Sequence, residues 1–312
     1  MRRSISPALC TLLLGTSLAP VPLLPAPARA GGEPLRFVLI PKVSHPWFEV
    51  VRQGAEDAAR MLAAQTGRPA SVDYQPPARA EIALQEALLR GAIRSRPSGI
   101  TIDLLDGERL RPLLAQARAQ GIPVTVFDSE APAELGLTSI GNDYCQQARI
   151  ASERLVQLLG GQGEVAIMQG VPTAPNHAIR TRCHREVFAR HAGIRVVAQP
   201  VDNDDIGTAE RRARETMVAF PALRGWVVSD AGGGIGAARA VQALGRAAQV
   251  KVIGLDDLPE MQRLIQTGLV DSTAATKPRS QGYWSVLTLW QQRLGAPPIE
   301  RIDTGISVQP SR

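Results

Sequence analysis

Short apolar runs and amphipathic stretches alternate along almost the whole chain. Apolar runs over residues 35–41, 98–103, 122–127, 163–169, 194–199, 224–229 and 250–255 predict buried strands, with a weaker one at 70–75. Between them lie Ala-, Leu-, Arg- and Gln-rich segments with helical spacing, such as "AEIALQEALLRGAIRS" and "DGERLRPLLAQARAQ". Strands that are apolar on both faces, separated by amphipathic helices, predict parallel sheets covered on both sides. In "QGIPV" and "FPALRGW" a Gly or Pro stops a helix just before the next strand.

The alternation breaks over residues 129–143, where "SEAPAELGLTSIGND" has no helical period and holds one short strand, 137–141. It restarts at "GGQGEVAIMQG". The break predicts two α/β lobes, residues 31–130 and 131–275. A helix and extended tail over 276–312 cross back towards the first lobe. Two open sheets of this kind put the loops at their strands' carboxyl ends into one shared crevice, where such folds bind ligands.

Residues 1–30 stand apart from this pattern. Arg2 and Arg3, the apolar "ALCTLLLG", a Pro-rich segment and Ala28-Arg29-Ala30 have the layout of a cleavable secretory signal. The apolar run is too short and too interrupted by Pro to span a membrane well. Cys10 lies inside this segment without the small residue before it that lipidation needs. The mature chain is therefore expected in a bacterial periplasm, as a monomer. The net charge of +6 is carried by cations scattered along helices among Glu, Gln and Ala. Nucleic-acid binding would need clustered Lys/Arg with interleaved aromatics, so solvated helix faces are the reading and no nucleic-acid partner is expected. Cys145 and Cys183 remain after cleavage. An exported protein can join them, but sequence does not give the pairing. Two cysteines without a His at metal spacing make no zinc site, and neither metal nor cofactor is expected.

The loops at the strand ends carry the candidate chemistry. In "PKVSHPWFEV", Pro46 suits a helix's first turn, which sets Trp47 and Phe48 beside the crevice. The chain has only 12 aromatic residues, so two adjacent ones invite a role. Flat rings suit the C–H face of a sugar, although one of the two can equally be core. His45 would be a hydrogen-bonding wall residue. In "ITIDLLDGE", Asp106 reads as a helix N-cap, while Asp103 either caps or faces the crevice. Asp128 ends the run "VTVFDSEAP", where an unpaired carboxylate would be costly and two sugar hydroxyls would suit it; a plain turn residue is the alternative. Asn142 or Asp143 caps the first helix of the second half. In "MQGVPTAPNHAIRTRCHREVF", residues three or four apart share a helix face, so at most two of Arg180, Arg182, His184 and Arg185 reach the crevice. The run "VVSDAGGGIGAARAV" lacks the lysine of a phosphate loop, which leaves Asp230 as the ligand-contacting side chain. Asp256 in "VIGLDDLPE" repeats the placement of Asp128, and Lys277 stands at the rim. Acids and rings together are the chemistry of a neutral polyhydroxylated ligand.

In "HPWFEVVRQGAEDAA", "GIPVTVFDS", "IGNDYCQQARIA" and "VKVIGLDDLPEMQRLIQTGLV", taken in this order, the chain resembles the periplasmic sugar-binding proteins of the ribose-binding type. The resemblance covers the whole mature chain. It implies the type I periplasmic binding fold: two Rossmann-like, doubly wound parallel-sheet lobes joined by three hinge strands and closing on a monosaccharide. It also implies delivery to the membrane permease of an ATP-driven (ABC-type) importer. Trp47 and Phe48 match the family's stacking pair, and Asp128 and Asp256 its hydroxyl-binding acids. Arg182 or His184 falls where the family carries an arginine. Asp230 and His45 replace common Asn residues, "GGG" at 232–234 replaces bulkier ones, and Thr276-Lys277 stands near a Gln. These departures fall in the pocket, so the ligand need not be ribose. The expected site is His45, Trp47, Phe48, Asp103, Asp128, Asn142, Arg182, His184, Asp230, Asp256 and Lys277. Transport is the first reading. The alternative is a ligand-sensing module for a sensor kinase or chemoreceptor. Catalysis is not expected: the acids are spread over strand ends and no G-x-S-x-G elbow is present. An export signal stands where a related repressor would carry its DNA-binding helices.

Overall fold

The computed structural model describes residues 32–310, arranged as two lobes with one six-stranded sheet each. The expected export signal, 1–30, lies outside the described residues. The first lobe is built from β1 (Leu35–Ile40), α1 (Pro46–Thr66), β2 (Ala70–Tyr74), α2 (Ile82–Arg94), β3 (Gly99–Ile102), α3 (Gly107–Ala119), β4 (Val124–Phe127) and β5 (Thr138–Gly141). The second holds α4 (Tyr144–Leu158), β6 (Gln162–Met168), α5 (Pro175–Phe188), β7 (Gly193–Ala198), α6 (Ile206–Ala219), β8 (Leu223–Val228), α7 (Gly233–Ala243), β9 (Lys251–Leu255), α8 (Pro259–Gln266) and β10 (Ser272–Ala275). The chain closes with α9 (Pro278–Arg293), β11 (Arg301–Asp303) and β12 (Ser307–Pro310). The sheet orders are β11-β5-β4-β3-β1-β2 and β12-β10-β9-β8-β6-β7. Every pairing is parallel except β10 with β12.

The strands are where the apolar runs predict them, because a parallel sheet buried on both faces demands such runs. Leu35, Phe37, Leu39 and Ile40 of β1 are fully buried. Each buried side chain of this size contributes about 1.5–3 kcal/mol relative to exposure. Two features went unpredicted. The small, polar "STAA" of β10 carries no strand signal, yet it pairs with β9 on one side and β12 on the other. The tail is not one extension but two short strands, one added to each sheet.

The break in periodicity is also not the lobe boundary. β5 is the neighbour of β4 in the first sheet, so the first lobe runs past 130 to Gly141. A single 3₁₀ turn, Ala133–Leu135, replaces the usual helix between β4 and β5, which is why the helical period vanishes there. Three segments pass between the lobes: β5 to α4, β10 to α9, and β11 to β12.

Helix α9 is held on the first lobe by two glycines. A Cβ on Gly282 would lie 1.9 Å from the Val51 carbonyl oxygen, and one on Gly54 would lie 1.9 Å from that of Arg279. Only glycine allows α1 and α9 to approach this closely. In the second lobe a disulfide, Cys145–Cys183, ties α4 to α5 with a Cα–Cα distance of 5.4 Å. Among the described residues no helix is long and apolar enough to cross a membrane.

Candidate ligand-binding cleft

The strands of both sheets end on one cleft between the lobes. It is lined by Lys42, His45, Trp47, Phe48 and Asp128 from the first lobe. His177, Arg180, Asp204, Asp230, Ala231, Leu255 and Asp256 line it from the second. The free cavity among these side chains is about 10 Å³, about the room one water needs, so a larger guest enters only as the lobes part.

Helix α1 delivers the rings. His45 caps it, its Nδ1 accepting the Trp47 backbone N–H at 3.2 Å, and Pro46 fills the first helical position. Trp47 and Phe48 then project from the first turn. They meet edge to face at 5.1 Å, and Phe48 meets Phe127 in the same way at 6.3 Å. Both rings are buried and both line the cleft, so the choice between core and cleft does not arise. The Trp47 indole N–H donates to Thr276 Oγ1 at 3.1 Å, and that hydroxyl donates to Asp256 Oδ1 at 2.5 Å. One hydrogen-bonded chain thus joins the first lobe's ring to the second lobe's acid.

Several of the acids share an unusual backbone. Asp128, Asp204 and Asp256 adopt φ values of +43°, +61° and +64°. This region disfavours most L-residues, although Asp tolerates it better than most. Strain of this kind clusters at ligand clamps, and here it turns each carboxylate off its strand or loop towards the cleft.

Charge is distributed unevenly. Lys42 is buried and its Nζ lies 2.6 Å from Asp103 and 3.6 Å from Asp128. Burial alone would lower the Lys42 pKa, but Asp103, Asp128 and Asp204 together outweigh it and hold the ammonium charged. Burial drives the Asp103 carboxyl upwards, and Lys42 opposes this. Arg180 is threaded through the second lobe. Its Nε donates to Gln147 Oε1 at 2.8 Å, its Nη1 to the Ser229 carbonyl at 3.2 Å, and its Cζ lies 4.9 Å from the Tyr144 ring centroid. Nη2 has no hydrogen-bond partner and sits 3.6 Å from Asp128 Oδ1. Asn176 of α5 donates to Asp128 Oδ2 at 2.8 Å, and Thr173 to the Leu105 carbonyl at 2.7 Å, so second-lobe side chains grip the first lobe.

The other acids have no such company. Asp230 Oδ2 accepts the N–H groups of Gly232 and Gly233 at 3.0 and 2.9 Å, while Oδ1 is buried beside the Asp202 carboxyl and takes no N–H bond. Burial, then the nearby Asp204 charge, raises the Asp230 pKa to about 7 against those two N–H bonds. Burial and Asp230 push the adjacent Asp202 upwards as well. Burial raises Asp256 to about 6, opposed by Arg180 and the Thr276 bonds. Both cleft histidines are held neutral. Burial lowers His45, and burial assisted by Lys42 and Arg180 lowers His177 further. Each uses Nδ1 as an acceptor, His45 from Trp47 N and His177 from Val171 N, which assigns the proton to Nε2. The glycine run is explained by packing: a Cβ on Gly233 would lie 2.7 Å from Asp230 Oδ1, and one on Gly234 2.8 Å from Met261 Cε.

Of the expected site residues, the structure brings His45, Trp47, Phe48, Asp128, Asp230 and Asp256 together at the cleft. Five others lie elsewhere. Asp103 sits behind Lys42, fully buried. Asn142 is buried at the hinge, donating to Gln147 Oε1 at 3.2 Å and so acting on Arg180 from behind. Lys277 reaches Ser307 Oγ at 2.7 Å. His184 is in the second lobe's core, bonded to Ser152 Oγ at 2.7 Å and to the Val228 carbonyl at 3.1 Å, and burial lowers its pKa to about 4. Arg182 is 60% exposed on the outer face of α5, beside Glu186. Arg180 is the arginine that faces inward. Lys42, His177, Asp202 and Asp204 were not anticipated. Lys42 left a usable signal: the chain has only three lysines, and this one directly follows a buried strand.

Two α/β lobes, three crossings and one cleft between strand ends define a hinged, ligand-clasping protein. The chain belongs to the periplasmic binding protein domain family, whose profile matches residues 36–297. It is 27% identical over 220 residues to a D-ribose/D-allose-binding protein of Pseudomonas aeruginosa, covering 69% of each chain. It is 25% identical to a D-allose-binding periplasmic protein of Escherichia coli, covering 78% of this chain and 80% of that one. Among solved structures, an ABC transporter solute-binding protein from Burkholderia graminis in complex with D-arabinose aligns with a TM-score of 0.81 at 26% identity. The alignment covers 88% of this chain and 95% of that one.

Proposed function

We propose that this chain is the solute-binding component of an ABC-type sugar importer. It captures a monosaccharide or similar small polyol in the periplasm and presents it, enclosed, to a membrane permease. The observation that carries this reading is the convergence of Trp47, Phe48 and Asp128 from one lobe with Arg180, Asp230 and Asp256 from the other on one cleft. The sugars named for the relatives, D-ribose, D-allose and D-arabinose, support the same class of ligand.

The chemistry is that of binding without turnover. The rings offer apolar faces to sugar C–H groups. Asp128 and Asp256 accept from hydroxyls through charge-assisted bonds, while His45 Nε2, His177 Nε2 and Arg180 Nη2 donate to them. A ligand held by both lobes favours the closed arrangement over the open one, and that difference in affinity drives hinge closure. Calorimetric titration of the mature protein with aldopentoses, aldohexoses and their polyols tests the reading. Saturable heat from one of them, with the sugar recovered unchanged, is expected. Silence across the whole panel overturns it.

A further inference from the structure

The second-lobe wall of the cleft has too much negative charge for a purely neutral guest. Asp202, Asp204, Asp230 and Asp256 are at most 6% exposed. Among the described residues none of them has a Lys, Arg or His nitrogen within 4.0 Å, in contrast to Asp103 and Asp128. Lys42 and Arg180 act on Asp204 and Asp256 only from beyond that distance. Buried carboxylates are ordinarily paired, because an uncompensated charge loses its hydration for nothing in return.

Part of the acceptor capacity is internally satisfied. Asp256 Oδ1 takes two bonds from Thr276, and Asp230 Oδ2 takes two backbone N–H bonds. Asp230 Oδ1 is buried beside Asp202, whose carboxyl is hydrogen-bonded to it. Asp204 lines the cleft as Asp230 does, and among the described residues its carboxylate accepts no hydrogen bond, so its acceptor capacity is open to a guest. Facing them across the cleft is His45, neutral, which supplies no positive charge. A metal ion is a poor match. Among the described residues no three of these acids bring oxygens within 4.8 Å of one another; the only such group is Cys145, Cys183 and Glu186, and its cysteines are joined as a disulfide.

We propose that the preferred ligand is a sugar or polyol bearing a primary ammonium group, seated against Asp204 and Asp230 while its hydroxyls and apolar face use the rest of the cleft. A protonated amine has three donors and no acceptor, which complements a wall of unfilled carboxylate oxygens. It supplies the missing positive charge where the low-dielectric surroundings make a close pair strong. A hydroxyl in the same place would donate one hydrogen bond and leave the charge uncompensated.

This rests on the small-polyol reading above and makes it narrower. The test titrates matched triplets into the mature protein at neutral pH: D-glucosamine, D-glucose and N-acetyl-D-glucosamine, and the galactose and reduced amino-alditol equivalents. In the triplet whose stereochemistry fits, the free amine is expected to bind about tenfold or more tightly than its hydroxyl parent, and acetylation to abolish the gain. In Asp230→Asn, checked for a retained thermal transition, the amine-to-hydroxyl affinity ratio is expected to fall towards one. Neutral sugars binding as tightly as their amines, or an unchanged ratio in Asp230→Asn, would overturn the inference and leave the sugar-binding reading standing. No binding by any member would remove both.

Discussion

The two walls of the cleft solve the same problem in different ways. On the first lobe, Asp103 and Asp128 are buried beside Lys42, and Arg180 reaches across to Asp128. On the second, Asp202, Asp204, Asp230 and Asp256 are as deeply buried but lean on backbone N–H groups, a threonine and one another. The first wall has its counter-ions in place before any ligand arrives. The second is kept from completion by its own geometry, and the raised carboxyls of Asp202, Asp230 and Asp256 mark the cost. A charge-matched wall serves stability and closure. An unmatched wall stores unfavourable energy that a suitable ligand can release, which is the general route by which strain at a binding site becomes affinity.

This contrast predicts substitutions of opposite sign. Asp103→Asn removes the 2.6 Å partner of a fully buried ammonium. Breaking a buried pair from one side typically costs about 3–5 kcal/mol, and a loss of that order is expected in urea unfolding at pH 7. A loss under about 1 kcal/mol would mean that Asp128 alone compensates Lys42, and the first wall would then be less specifically matched than described.

Asp230→Asn is expected to do the reverse. The amide oxygen can keep the bonds from Gly232 and Gly233, and the new NH₂ can face Asp202. A gain of about 1–2 kcal/mol in the ligand-free protein at pH 8 follows from removing a like-charge contact in a buried site. The pH dependence fixes the cause. The Asp230 pKa rises from 3.8 in the unfolded chain to about 7 in the fold, so the folded state holds the extra proton between those values. Stability from this group is therefore greatest at low pH and falls as pH rises through the window. The advantage of Asp230→Asn should thus grow from pH 5 to pH 8 when the two proteins' melting temperatures are compared. An advantage independent of pH would point to packing instead of charge.

A gentler probe separates closure from contact. Asn176→Ala removes the second lobe's bond to Asp128 without altering either wall's charge. One charge-assisted hydrogen bond is worth about 1.5–3 kcal/mol, so the closed population should shrink and sugar affinity weaken about tenfold. Small-angle scattering of the ligand-free variant should show a larger mean radius than the parent. An unchanged radius together with unchanged affinity would show that the 2.8 Å contact does not hold the lobes together.

The matched and unmatched walls differ in how legible they are from sequence. Asp128, Asp230 and Asp256 end apolar runs, where a charged residue is conspicuous, and Trp47 and Phe48 stand out by rarity. Periodicity placed nine strands for the same reason: burial on both faces leaves a continuous apolar signature. Asp202 and Asp204 gave no such signal. They lie in the polar loop "VDNDD", where acids are ordinary, and only the left-handed turn at Asn203 and Asp204 directs them inward. Strand β10 was hidden because its small residues pack beneath α4 and against the tail, a tertiary relation that no local pattern reports. The family resemblance carried the two-lobe plan and the sugar expectation, but it did not register the wall's unpaired charge.

Helix α5 offers the smallest and cleanest comparison. Arg180 and His184 are four apart and share the buried face, while Arg182 is displaced by two residues, about 200° around the helix. Helical spacing permits either set to face inward. The outcome is decided by Gln147, Ser229 and Tyr144, which meet Arg180 from other elements. Arg182 is left with an exposed contact to Glu186, a type of pair worth about 0–1 kcal/mol. Arg182→Gln should therefore shift stability by less than about 0.5 kcal/mol and leave every calorimetric affinity within error. Arg180→Gln should weaken sugar binding by tenfold or more, because it strips the cleft of a donor and leaves Asp128 with less compensation. Equal effects of the two substitutions would mean that the helix is rotated from the orientation described, and the charge assignment of both walls would have to be redrawn.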